Sequence, residues 1–211
     1  MAAKIMLPLR KGFRRWLLVG SIAAVATGIF FILLITLPLI VFEGDLLSGS
    51  VAITWYSLRN YGEPVTHPGL ESIPFLSIPV FTTAFFSIAT GLLTILKVSR
   101  SVKVSHVIVE LLLGALEACM VFTGAFYSLR LNIIHAVSDF PTQASGAGSA
   151  GLLVIKGSVR SETFTSILIR QFYPLILVNV ILIILVAVIG FETAKALGAL
   201  VEKEDEAGGD S

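Results

Sequence analysis

Polar residues are scarce along four long stretches of this chain and gather between them. The apolar stretches cover residues 16–42, 72–96, 107–129 and 172–191. A helix rises about 1.5 Å per residue, so about 20 apolar residues cross roughly 30 Å of hydrocarbon, and each stretch meets that length. The pattern predicts four transmembrane helices. The first run follows a basic start containing Lys4, Arg10, Lys11, Arg14 and Arg15, as a signal peptide would. It then continues without a charge from Trp16 to Phe42, well beyond a signal peptide's apolar segment, and Ala24-Val25-Ala26 lies in its middle. It is read as a retained span.

The connections differ in kind. Residues 97–106 form a short basic loop, which makes the second and third spans antiparallel neighbours. The loop 43–71 contains a β-branched and aromatic stretch at 50–58 with two-residue alternation, a strand signal, stopped by the turn-rich Asn60-Tyr61-Gly62-Glu63-Pro64. The loop 130–171 opens with a flexible Gly/Ser/Ala segment at 143–151 and alternates again at 152–160, a second candidate strand. Two such strands gain stability by pairing, so the expected fold is an all-α membrane protein: a four-helix bundle with a small extracytoplasmic β-containing cap built from the two outer loops. Pro38, Pro74, Pro79 and Pro174 mark first turns or kinks near the outer ends of spans. Residues 192–211 form an acidic cytoplasmic tail, whose small-residue-rich end, Val201–Ser211, reads as solvated and disordered.

Composition agrees with a lipid-embedded core: 55% of residues are hydrophobic, 14% are charged and the mean hydropathy is +0.92. The net charge of +1 conceals an asymmetry. Ten Lys and Arg fall in the basic start (1–15), the 97–106 loop and the tail, against five in the two long loops. The positive-inside bias therefore places both termini in the cytoplasm, consistent with an even number of spans, and predicts a multi-pass protein of the cell membrane. Trp16 and Tyr173 suit opposite headgroup layers. No basic domain is present to hold nucleic acid. The single cysteine, Cys119, lies inside the third span and cannot staple the outer loops. No Asn-x-Ser/Thr acceptor occurs.

The candidate polar site lies between the middle spans. His106, Glu110, Gly114, Glu117, Val121 and Gly124 share one helical face by their spacing of three and four. A charged side chain at the bilayer centre costs at least about 2.5–3.5 kcal/mol, so that face is expected to point into protein, with an unseen partner helix supplying a basic residue to Glu117 as an alternative to a contact within the chain. In the second span Thr83, Ser87, Thr90 and Thr94 also share a face. A hairpin folded about residue 102 pairs positions that sum to 204, setting Thr94 beside Glu110, Thr90 beside Gly114 and Ser87 beside Glu117. Gly114 and Ala118 are expected to let the two backbones approach, with Glu117 donating a hydrogen bond to a hydroxyl. The competing reading for the hydroxyls is bonding to their own i−4 carbonyls. Asn179 in the fourth span is a further embedded polar group, expected in helix packing. Cys119 reads as a buried small apolar residue.

No catalytic residue, metal ligand set or cofactor motif emerges. His67, His106 and His135 lie at span boundaries or in loops, no span holds two histidines for a haem, and one cysteine cannot hold an iron–sulfur cluster. Phosphate-loop, zinc-helix and nucleophile-elbow patterns are absent. The layout of long outer loop with strand character, tight inner hairpin, second outer loop and inner tail resembles the general plan of claudin-like four-span proteins. The paired cysteines expected in their first outer loop are missing here, so the resemblance is one of topology and carries over no functional residue. Two functions follow as expectations. The first is a non-catalytic assembly or interaction subunit, partnered by the bilayer and by another membrane protein or further copies of itself. The second is a small oligomeric ion- or proton-coupled transporter or channel using Glu117 with the hydroxyl stripe.

Overall fold

The computed structural model describes residues 5–38, 40–43, 47–52, 54–60, 62–66, 71, 73–138, 147–150, 153–155 and 173–208. In chain order these form β1 (Met6–Pro8), α1 (Lys11–Thr36), β2 (Ile40–Glu43), β3 (Leu47–Val51), β4 (Tyr56–Asn60), β5 (Glu63–Val65), α2 (Ser77–Arg100), β6 (Lys103–Ser105), α3 (His106–Ser138), β7 (Ala147–Ala150), β8 (Leu153–Ile155) and α4 (Tyr173–Gly208). The four helices are long and apolar enough to cross a membrane, over Lys11–Thr36, Ser77–Arg100, His106–Ser128 and Tyr173–Val201. The chain divides into two compact units, and each helix contributes a length to both.

Helix boundaries follow local chemistry. The apolar run 16–42 is not one helix: α1 stops at Thr36, and residues from Ile40 are strand. Pro38 explains the break, because it lacks a backbone donor and disfavours helical geometry at the residue before it. α2 is entered through a 3₁₀ turn at Ile73–Leu76, and its Pro79 lies in the first turn, where no intrahelical donor is needed. Lys97 and Arg100 occupy its last turn, where cations complement the helix dipole. α4 runs on to Gly208, so the segment expected to be a disordered tail is helical as far as described. Its Ala, Leu, Lys and Glu content favours that conformation.

The first unit comprises Met1–Gly28, Thr83–Met120 and Asn179–Ser211. Its interior packs Phe13, Leu17, Ala24, Leu112, Leu116, Leu182 and Ile189. Here the short loop between α2 and α3 is more than a turn. β6 pairs antiparallel with β1, with Leu7 opposite Val104, and both side chains are buried. Bonds from Leu9 N to Val102 O (2.9 Å) and from His106 N to Ile5 O (3.0 Å) extend the ladder. The basic start of the chain is therefore tied to the basic loop, a pairing that the charge pattern alone did not suggest.

The second unit comprises Ile29–Thr82 and Val121–Val178. It holds an antiparallel six-stranded sheet in the order β5-β4-β3-β2-β7-β8. The strands expected in the two long loops share this sheet but do not pair with each other: β2, from the end of the first apolar run, and β7 lie between β3 and β8, with Phe42 opposite Gly148. The single strand expected over 50–58 is instead two strands, β3 and β4, joined by a tight turn closed by Ala52 N donating to Trp55 O (2.8 Å). Trp55 Nε1 donates to Ile35 O (2.9 Å), satisfying one of the carbonyls that the end of α1 leaves without a helical partner. Gly49 has φ +127°, and a Cβ there would run into the Ser57 carbonyl, so β3 requires glycine at that position. In the second loop β7 falls within the segment expected to be flexible; β8 is the described part of the strand expected at 152–160, whose remainder lies outside the described residues. The rings of Phe31 and Phe126 meet edge-on at 5.4 Å, with Phe122 at 6.4 Å from Phe31, forming the aromatic centre of this unit.

Candidate functional site: an outward carboxylate and an inward hydroxyl stripe

All four hydroxyls of the α2 stripe are buried: Thr83, Ser87, Thr90 and Thr94. Thr94 Oγ1 donates to Thr90 O (2.8 Å), the local back-bond weighed above. Ser87 turns across to α3 and lies 3.1 Å from Cys119 Sγ, so its partner is the thiol and not Glu117. Within the first unit the buried face of α3 consists of Val109, Leu112, Ala115, Leu116 and Cys119. Asn179 joins the helices at another point, its Nδ2 donating to Met120 O (3.2 Å). That contact is helix packing, as expected, and it does not extend the hydroxyl stripe.

The acidic face of α3 points the other way. Glu110 and Glu117 are both exposed, and a Cβ built on Gly114 between them would meet nothing within 4 Å. The expectation that this face packs against α2 is therefore corrected: Thr94, Thr90 and Ser87 do not meet Glu110, Gly114 and Glu117. The physical reason is a small error in register. The contact between Ser87 and Cys119 pairs positions that sum to 206, two more than the hairpin estimate. Two residues on a helix turn the partner by about 200°, which carries Glu117 to the far side.

The two acids differ in their surroundings. Glu110 lies four residues from the start of its span, and its Oε1 is 3.2 Å from His106 Nδ1 one turn earlier. Glu117 lies eleven residues from each end of the candidate span His106–Ser128, about 16 Å along the axis from either. Among the described residues no ion pair or hydrogen bond reaches it.

The close helix contact suggested by small residues also exists, but elsewhere. α1 and α2 meet where Gly28 abuts Ala84 and Ile88, and again where Gly91 abuts Ser21 and Val25. A Cβ on Gly28 would stand 2.7 Å from Ala84 O, and one on Gly91 would stand 2.7 Å from Ser21 O. Ser21, Ala24 and Gly28 in α1 and Ala84, Ser87 and Gly91 in α2 are spaced by three and four in both helices, a small-residue signal present in the sequence alongside Gly114 and Ala118.

The Ser87–Cys119 contact gives a direct test of the buried face. Ser87→Ala and Cys119→Ala are each expected to destabilise the bundle by about 0.6–2 kcal/mol, and the double variant by less than their sum, in a double-mutant cycle read by unfolding in mixed micelles. Additive losses would mean that the pair does not interact. In the folded chain Cys119 is fully buried and is expected to resist a membrane-permeant maleimide until the bundle is unfolded.

No group of three or more metal-ligating side chains occurs among the described residues. No family model, curated protein or solved structure matches this chain.

Proposed function

We propose that the chain is a multi-pass membrane protein acting as a non-catalytic assembly or interaction subunit of a membrane complex, with both termini in the cytoplasm. One observation carries the reading: Glu117 is halfway along a span, on the outside of its own bundle, with no partner among the described residues. Leaving it against acyl chains costs at least about 2.5–3.5 kcal/mol, and a neighbouring protein is the cover that removes that cost. The remaining outer surface supports the contrast. Phe85, Leu92 and Leu96 of α2 and Leu177, Val180, Ile181 and Ile184 of α4 are bulky, apolar and exposed, as suits direct lipid contact.

The transport reading drew on a relay from Glu117 to the hydroxyl stripe. Within one chain Glu117 lies on the face of α3 turned away from the α2 stripe, which leaves that relay without a shared path. The two readings separate in proteoliposomes and in native-detergent mass. The assembly reading expects a hetero-complex in mild detergent, and proton or cation flux no greater in the purified chain than in its Glu117→Gln variant. A flux abolished by Glu117→Gln with the fold retained would overturn it.

A further inference from the structure

The outward face of α3 is built for one kind of neighbour. Val107, Glu110, Leu111 and Glu117 are exposed on it and Gly114 and Ala118 are half-buried between them, recurring every three to four residues as the seam between two wound helices does. Gly114 and Ala118 lie one turn apart without bulk, and the space beyond Gly114 is open, so another helix backbone can come close between the two acids.

Charge decides what that helix carries. Glu110 already has His106 beside it near the end of the span, leaving Glu117 as the one acid at mid-depth that needs an opposite charge. A second copy of this chain does not supply it. Lys and Arg occur in the four candidate spans only near their ends, at Lys11, Arg14 and Arg15, at Lys97 and Arg100, and at Lys195. A symmetric parallel pair of copies packed on this face would set one Glu117 carboxylate beside another, a like-charge contact that opposes pairing.

We propose, on the assembly reading above, that the α3 face docks a transmembrane helix of a different protein bearing a single Lys or Arg at the depth of Glu117. Each of the two charged groups is unfavourable alone in lipid, and each covers the other on docking. The small residues set how closely the helices approach, and the charge pair sets partner choice and register.

The test uses the full-length chain in phosphatidylcholine vesicles and a labelled Leu/Ala transmembrane peptide of about 23 residues with lysine at its midpoint. Energy transfer is expected to report binding about tenfold tighter than for the same peptide with leucine at that position, and the preference is expected to vanish in Glu117→Gln. Equal binding of the two peptides overturns the proposal, as does self-association of the chain that depends on Glu117. A photoreactive residue placed at position 114 in native membranes separates this inference from the reading beneath it. Cross-linking to a protein helix with a mid-span Lys or Arg supports both. Cross-linking to a helix without one sinks the charge pairing and leaves the assembly reading standing, whereas cross-links to lipid alone sink both.

Discussion

Gly91→Leu is expected to force α1 and α2 apart and to cost the bundle about 3 kcal/mol or more, seen as an early transition in denaturant titration in micelles. The obstacle is backbone. A Cβ at Gly91 stands 2.7 Å from Ser21 O and 3.3 Å from Val25 N, and neither atom can move without moving its helix. Overpacking a well-packed contact costs about 1–3 kcal/mol even where side chains can yield, and here they cannot. Gly28→Leu is expected to do the same through Ala84 O. Because both sites hold one interface, the double variant should lose less than the sum, since helices already separated by one side chain have room for the other. Gly114→Ala is the control: its Cβ enters open space, and the purified chain should keep its stability. If Gly114→Ala is as damaging as Gly91→Leu, the bundle is packed through a different face.

Glu117→Leu has the second large effect, with a sign that depends on where the carboxyl points. On the outward face it makes no hydrogen bond or ion pair among the described residues, so replacing it breaks none of these and, on the membrane reading, removes a group that costs at least about 2.5–3.5 kcal/mol to hold at mid-membrane. The purified chain should insert more readily and unfold no more easily than the parent, while the complex proposed above should dissociate. Were the carboxyl a clasp between α2 and α3, the same substitution would forfeit an interhelical hydrogen bond of about 0.6–2 kcal/mol and loosen the bundle. Unfolding of the purified variant and its retention in the complex, measured together, distinguish the two.

Much of the architecture was legible in the sequence because length and apolarity are sufficient signals for a span. Four spans were expected and four helices suited to crossing a membrane are found. The hydroxyl stripe was expected to face protein, and Thr83, Ser87, Thr90 and Thr94 are all buried. What the residues did not reveal was which face of α3 lies inside. In a soluble protein the apolar stripe marks the core, but lipid is as apolar as the core, so the periodicity of α3 does not distinguish them. The hairpin estimate places Glu117 opposite Ser87 in preference to a partner helix, and a two-residue shift, which sets Ser87 opposite Cys119 instead, is enough to reverse the helix. The β1–β6 pairing was hidden for a different reason. Three-residue strands such as Met6–Pro8 and Lys103–Ser105 are too short for alternation to register, and a ladder between distant segments is fixed only once the helices have been folded together.

The Glu117 face of α3 lies outside the bundle. Spin labels on single cysteines at positions 110, 114 and 117 and at 112 and 116, in a Cys119→Ser background reconstituted in lipid, test it through collision with dissolved oxygen. High oxygen access at 114 and 117 with low access at 112 and 116 is the predicted result, and the opposite ranking would place the carboxylate between the helices and contradict it.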